Sequence, residues 1–163
     1  MRTLLAAAGA ASIALTLVPA PAAQAKQASA YRIVNSRTGQ CLAVPNGTKK
    51  FGARIIQWPC NGSNSQKWYF NPYDDFNGGQ YINAASNMCL AINKPGKGAP
   101  IRQLPCTGTT RDIWMVWGAS NLQNAGYKGC LAVPNGTRAR GAKMIAWPCL
   151  NSASQEWETH GVS

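Results

Sequence analysis

Nine basic residues fall in three short stretches of the chain, each of which lies between two cysteines. The stretches contain no acidic residue, and we call them the three basic loops. Their basic residues are Lys49, Lys50 and Arg54; Lys94, Lys97 and Arg102; and Arg138, Arg140 and Lys143. Lysine and arginine donate charge-assisted hydrogen bonds to carboxylates, sulfates and phosphates, so the pattern predicts anion recognition. Solvated loops that serve only solubility are the alternative.

The carboxylates and the histidine, by contrast, do not suggest catalysis. The chain holds five acidic residues. Asp74 and Asp75 occupy a connecting segment, and none of the five forms the separated pair that acid and base catalysis of hydrolysis requires. The single histidine, His160, lies near the end of the sequence, so neither a catalytic triad nor a metal site is predicted. We expect no enzymatic activity and no cofactor.

The six cysteines are best explained as disulfides, because they lack the close CxxC spacing of metal sites. Six cysteines allow fifteen connectivities. One of them pairs each cysteine with its neighbour and makes every loop self-contained: Cys41 with Cys60, Cys89 with Cys106, and Cys130 with Cys149. Each such bond would contribute about 3 kcal/mol by the chain-entropy estimate.

An internal repeat runs through the same segments. Residues 41–60 read CLAVPNGTKKFGARIIQWPC, and residues 130–149 repeat 14 of these 20 residues without a gap. Residues 89–106 form a weaker copy with the same CLA opening and the same cysteine ends. The chain is therefore a threefold repeat.

Short strands and turns fill each repeat. Residues 31–34, 40–44, 54–58 and 67–70 of the first repeat have the composition or alternation of strands, and the Pro-Asn-Gly sequence at 45–47 predicts a turn. The same set recurs twice, which gives about twelve strands and no long amphipathic helix. Twelve strands in three equal sets are expected to close on themselves, since closure leaves no exposed sheet edge.

The first 25 residues have the features of a secretory signal peptide. Arg2 precedes an apolar run from Leu4 to Val18, and Ala23-Gln24-Ala25 has the small-x-small form of a cleavage site. The run is too short for a transmembrane helix. We expect export with cleavage near Ala25, a flexible lead at 26–30 and one domain at 31–161. A cut after Ala28-Ser29-Ala30 is the alternative.

Export leaves a strongly basic protein. The whole chain has a formal net charge of +11, and loss of Arg2 leaves about +10. Such an imbalance favours acidic polymers or acidic protein surfaces as partners.

With these features in place, the chain resembles the ricin B-type lectins, which are β-trefoil carbohydrate-binding modules. Each repeat ends in a Q-x-W signature or its remnant, at Gln66 to Trp68, Asp112 to Trp114 and Gln155 to Trp157. The resemblance implies an all-β β-trefoil made of a six-stranded barrel capped by three hairpins, with one disulfide in each repeat. It also implies a core role for the three signature tryptophans.

The resemblance further implies shallow sugar pockets, of which the first and third repeats keep the aromatic platform. Six residues are the candidates for carbohydrate binding: Trp58, Trp147, Asn46, Asn135, Gln66 and Gln155. An indole face covers the apolar face of a sugar ring, and amides bind its hydroxyls. The basic loops would form the lips of these pockets.

The pockets depart from the family pattern at one important position. The acid that normally accepts sugar hydroxyls, two residues after the first cysteine, is replaced in every repeat, by Ala43, Ala91 and Ala132. A pocket that lacks this acid and is bordered by basic residues suits acidic or phosphate-bearing glycans.

We therefore expect a secreted, monomeric carbohydrate-binding protein that recognises a glycan or an anionic glycan polymer. The alternative is a β-trefoil that has lost sugar binding and acts on another secreted protein as a partner or inhibitor. Nucleic acid is disfavoured because Phe51 is the only aromatic residue interleaved with the basic loops.

Overall fold

The computed structural model describes residues 29–73 and 77–162, and within them the chain forms twelve β-strands and three short 3-10 turns. The first repeat contains β1 (Ala30–Asn35), β2 (Cys41–Ala43), β3 (Ile56–Trp58) and β4 (Trp68–Tyr73). The second contains β5 (Gly78–Asn83), β6 (Cys89–Ile92), β7 (Ala99–Leu104) and β8 (Trp114–Trp117). The third contains β9 (Asn121–Asn124), β10 (Gly129–Ala132), β11 (Ile145–Pro148) and β12 (Trp157–Val162). The prediction of four strands per repeat is confirmed.

The first and fourth strands of each repeat form the barrel. The antiparallel pairs β1–β4, β4–β5, β5–β8 and β8–β9 run round it, and β12 pairs with β1 along its whole length. A bridge between Asn121, the first residue of β9, and Glu156, the residue before β12, closes the ring. The sheet edges are thereby paired, as the repeat pattern predicts.

The second and third strands of each repeat form three hairpins that cap the barrel, β2–β3, β6–β7 and β10–β11. Ile55, Ile101 and Met144 meet where the hairpins converge, and all three are fully buried. Their backbones form a closed ring, in which Ile55 N donates to Ile101 O, Ile101 N to Met144 O and Met144 N to Ile55 O, at 3.0, 3.2 and 2.9 Å. This ring ties the three repeats together near the pseudo-threefold axis.

The signature tryptophans lie in the core, as expected. Trp68, Trp114 and Trp157 are almost completely buried. Each indole Nε1 donates a hydrogen bond to the backbone oxygen of a leucine in the second strand of its repeat, at 2.8–3.0 Å. A buried hydrogen bond contributes about 1 kcal/mol net, so each tryptophan both fills the core and fixes the hairpin over it.

Three buried asparagines connect successive repeats. Asn35, Asn83 and Asn124 end the first strand of each repeat, and each side-chain amide donates to two backbone oxygens of the segment that carries a Q-x-W position. Each side-chain oxygen accepts from the turn that follows it. The asparagines therefore hold the turns and the signature segments in register.

The disulfides join Cys41 to Cys60, Cys89 to Cys106 and Cys130 to Cys149, which confirms one bond in each repeat. The fold is the β-trefoil predicted from the repeats.

The predicted signal peptide at 1–25, and residues 26–28 of the predicted lead, lie outside the described residues. Ala30, which was expected in the flexible lead, is the first residue of β1 and pairs with Val162. Across 29–73 and 77–162 there is no helix long and apolar enough to span a membrane.

Candidate functional site

A groove on the first repeat brings together several of the predicted site residues. We call it the first groove; it has a volume of about 610 Å³. Ala43 lies at its base, Trp58 and Ile56 line it from β3, and Asn46 lines it from the 3-10 turn Pro45–Gly47. Trp58 is 41% exposed, which is unusual for so large an apolar side chain. Its indole is available to a ligand.

A similar but smaller groove lies on the third repeat. This third groove has a volume of about 200 Å³ and contains Ala132, Asn135, Ile145 and Trp147. Trp147 is only half-buried. Two of the three repeats thus present an indole beside an asparagine turn.

The sequence of the turn explains the position of both asparagines. Asn46 and Asn135 have φ values of 50° and 53°, in the left-handed region that asparagine tolerates better than most residues. Both are exposed. Val44 N donates to Ser65 O, and Val133 N to Ser154 O, so each turn is fastened to the opposite wall of its groove.

The two candidate glutamines lie beneath the grooves and are engaged with the protein itself. Gln66 is almost fully buried; its Oε1 accepts from Asn61 N at 2.8 Å and its Nε2 donates to Pro59 O at 2.9 Å. Gln155 makes the same two contacts in the third repeat, with Leu150 N and Pro148 O. The glutamines clamp the loop after the disulfide and so position the groove wall.

A pair of serines in each groove supplies polar groups that the sequence analysis did not single out. The hydroxyls of Ser63 and Ser65 are 2.6 Å apart in the first groove, and those of Ser152 and Ser154 are 3.0 Å apart in the third. A Ser-x-Ser-Gln sequence precedes the signature tryptophan in both repeats, and this repetition was the signal that could have revealed them.

The middle repeat differs at the two most important positions. Leu104 takes the place of the tryptophan platform and is only 1% exposed, so it cannot cover a ligand. Asp112 takes the place of the clamping glutamine and is buried. Its Oδ2 accepts from Thr107 N, Thr107 Oγ1 and Gln80 Nε2, whereas its Oδ1 has no hydrogen-bond partner.

The two grooves also differ in their charged neighbours. Lys97, from the basic loop of the second repeat, places its Nζ 4.6 Å from the centre of the Trp147 ring. Arg37, from the first repeat, donates from Nε to Gly136 O in the asparagine turn of the third groove, at 2.9 Å. The neighbour of the equivalent Gly47 is the methyl group of Ala85. The third groove therefore has two cations beside it.

The basic loops do not flank the grooves of their own repeats. None of their nine basic residues lines the first or third groove. The reason is that each hairpin loop leans over the next repeat, where Gln103 Nε2 holds Thr48 O and Lys50 O, and Gln57 Nε2 holds Thr137 O and Ala139 O. Lys50, Arg54 and Arg102 line a separate cavity between the first and second repeats. Five of the basic residues are exposed on the loops without lining any of these cavities: Lys49, Lys94, Arg138, Arg140 and Lys143.

A closed trefoil barrel with indole-bearing surface grooves defines the class of protein as a β-trefoil of the lectin type. The model of the ricin-type beta-trefoil lectin domain matches residues 29–157, and the chain belongs to this family. No curated protein matches the chain by sequence.

Solved structures show the same fold. The designed threefold-symmetric protein ThreeFoil is 22% identical with a TM-score of 0.77, and the match covers 80% of this chain and 96% of ThreeFoil. The Macrolepiota procera ricin B-like lectin in complex with lactose is 19% identical with a TM-score of 0.69, over 83% of this chain and 97% of the lectin. An exo-beta-1,3-galactanase from Clostridium thermocellum is 22% identical with a TM-score of 0.77, over 85% of this chain. The chain spans only 31% of that enzyme's length.

Proposed function

We propose that the protein is a secreted, monomeric and non-enzymatic carbohydrate-binding protein, and that the first and third grooves each hold one sugar ring. The observation that carries this proposal is the exposed indole of Trp58 in a groove that also presents hydroxyl and amide groups. Membership of the lectin family supports it.

Each groove offers the two kinds of contact that a sugar needs. The indole covers the apolar face of the ring, and the serine hydroxyls and the exposed asparagine amide bind ring hydroxyls. Ala43 and Ala132 supply no carboxylate at the base of the grooves. Charge-assisted hydrogen bonds are roughly twice as strong as neutral ones, so a groove without a carboxylate binds a sugar weakly. Two such grooves that bind one polymer raise the overall avidity.

The preferred ligand carries negative charge. The chain has a net charge of +11, and Lys97 and Arg37 stand beside the third groove. A cation near the sugar ring attracts the carboxylate of an acidic sugar or the phosphate of a decorated polymer. The first groove, with Ala85 at the position of Arg37, suits a neutral ring.

A glycan array that compares tryptophan variants tests the proposal. Trp58→Ala and Trp147→Ala should each weaken binding of neutral glycans, and the double variant should abolish it. Trp117→Ala is the matched control, since Trp117 is 37% exposed on β8, is not part of either groove and should leave binding unchanged. If the wild type binds no glycan, or binds equally well without both groove tryptophans, the proposal is wrong.

The second candidate is a β-trefoil that binds another secreted protein as a partner or inhibitor. The alanines at the base of both grooves favour it, since they remove the usual sugar-binding carboxylate. In that case no glycan on the array binds. Phe51 is 65% exposed on a basic loop and is then the side chain to substitute in protein-binding assays.

A further inference from the structure

A cavity of about 480 Å³ lies where the basic loop of the first repeat leans over the second. Lys50, Phe51 and Arg54 contribute from the first repeat, and Asn93 and Arg102 from the second. We call this cavity the arginine junction. It is separate from both tryptophan grooves, with which it shares no lining residue.

Two guanidinium groups are fixed in the arginine junction by backbone oxygens. Arg54 and Arg102 form an antiparallel bridge across the boundary between the repeats. An Nη1 donor of Arg102 reaches Gly52 O at 2.6 Å, and an Nη2 donor of Arg54 reaches Met144 O at 3.3 Å. Arg54 Nε is buried and has no hydrogen-bond partner. The two guanidinium groups are thus held in place before a ligand binds, and some of their N–H donors remain unused.

Within the described residues, no carboxylate neutralises the charge of this pair. Among residues 29–73 and 77–162, no lysine or arginine lies within ion-pair distance of a carboxylate; the ion pair found there joins His160 to Glu158. Burial, together with the nearby charge of Arg102, lowers the pKa of Arg54. Arginine nevertheless stays protonated in proteins, so two like charges are held together at an electrostatic cost that an anion would remove.

The fold does not require this pair of cations. At the equivalent boundary between the third and first repeats, Lys143 faces Ile56, and between the second and third repeats Pro100 faces Ile145. The same backbone pairing therefore forms twice without two facing cations. The arginine pair breaks the pseudo-threefold symmetry at one boundary.

We propose that the arginine junction is a binding site for the anionic group of a glycan, a carboxylate, sulfate or phosphate. Guanidinium groups bind the paired oxygens of such groups in a bidentate manner. Lys50 adds a third cation, and the exposed ring of Phe51 offers an apolar surface to the sugar that carries the anion. The inference deepens the proposed preference for acidic glycans. It rests on that proposal only for the statement that the molecule carrying the anionic group is a glycan.

Calorimetric titration with dextran sulfate, and with unmodified dextran as the neutral probe, tests the site. The double variant Arg54→Gln/Arg102→Gln should weaken binding of dextran sulfate by about tenfold or more, the loss of one or two charge-assisted hydrogen bonds. The matched control Arg138→Gln/Arg140→Gln removes the same total charge from exposed positions of another basic loop and should change binding by less than about threefold. Equal losses in the two double variants would show that the general positive charge, and not the arginine junction, binds the polymer.

A second measurement does not depend on the stability of any variant. Sodium sulfate titrated into the isotopically labelled wild-type protein should shift the backbone amide signals of residues 51–54 and 102 in a saturable way, and those of residues 138–141 much less. Shifts that do not saturate, or that are no larger than at 138–141, would overturn the inference. The variant Trp58→Ala/Trp147→Ala should keep its sulfate response even if it binds no glycan on the array, so this site and the tryptophan grooves can fail independently.

Discussion

At the scale of single residues, the two grooves show how near-identical sequences acquire different environments. Residues 41–60 and 130–149 each contain one tryptophan and one asparagine turn, at matching positions. Trp58 is exposed, whereas Trp147 lies under the Lys97 ammonium group. The difference comes from the neighbouring hairpin loop, which belongs to the second repeat at Trp147, where it carries Lys97, and to the third repeat at Trp58, where Gly141 lies close to the ring.

Removal of this ammonium group should therefore improve the third groove for neutral sugars. A cation over an indole is stabilised by about 0.5–1 kcal/mol at an exposed site, and a neutral ring must displace it before it can stack. We expect Lys97→Ala to raise the affinity of the third groove for a neutral sugar roughly two- to fivefold. Calorimetry in a Trp58→Ala background measures the third groove alone.

The control for this experiment is Lys94→Ala, which removes the same charge from an exposed position of the same loop. It should leave neutral-sugar affinity unchanged. If Lys97→Ala weakens neutral-sugar binding, Lys97 contacts the sugar directly and does not compete with it.

The groove residues that could be predicted from the sequence are those that line the groove of their own repeat. Trp58, Trp147, Asn46 and Asn135 line the grooves and occupy matching positions of their repeats. The contacts of Lys97 with Trp147 and of Arg37 with Gly136 cross between repeats. No spacing within a repeat encodes which neighbour a side chain meets across the boundary, so these contacts became visible only in the structure.

At the scale of elements, the hairpin loops determine which residues share a site. Strand positions were predictable because alternation and turn residues are local signals. Buried glutamines of the next repeat hold two of the three loops in place. Gln103 holds the loop of the first repeat, Gln57 holds that of the third, and Ala146 at the corresponding position of the third repeat has no such side chain. The basic loops consequently line a repeat boundary and not the lips of their own pockets.

Truncation of Gln103 should loosen the basic loop of the first repeat. The variant Gln103→Ala loses two hydrogen bonds of 2.8 Å, to Thr48 O and Lys50 O, and we expect the free energy of unfolding to fall by about 1–3 kcal/mol. Because this loop carries Lys50 and Arg54, affinity for dextran sulfate should fall as well. Denaturant unfolding and calorimetric titration provide the two measurements.

The matched variant Gln57→Ala separates stability from binding. It removes two equivalent hydrogen bonds, of 2.8 and 3.0 Å, at the boundary between the third and first repeats. A similar loss of stability with unchanged affinity for dextran sulfate is expected. Equal losses of affinity in both variants would indicate that the arginine junction is not the site that binds the polymer.

At the scale of the whole molecule, the threefold repeat explains why the fold could be predicted from the sequence. Three copies of one unit, each with its own disulfide, leave few ways to bury a shared core, and the ring formed by Ile55, Ile101 and Met144 joins them. Net charge is also a property of the whole sequence, but its distribution depends on the fold. The arginine junction arises because two charges far apart in the chain, at 54 and 102, become neighbours at one boundary.

Binding of anions by the cationic surface and stacking of sugars on the groove tryptophans should respond differently to salt. Screening shortens the reach of charge from about 10 Å at 0.1 M salt to about 3 Å at 1 M, whereas stacking of a sugar ring on Trp58 involves no net charge. We expect retention on an immobilised anionic polymer to fall steeply over this range of sodium chloride. Binding of a neutral sugar in the first groove, measured by tryptophan fluorescence, should change less than about twofold, because burial of apolar surface strengthens slightly in some salts. Retention that is the same at low and high salt would mean that neutral stacking in the grooves, and not the cationic surface, holds the polymer.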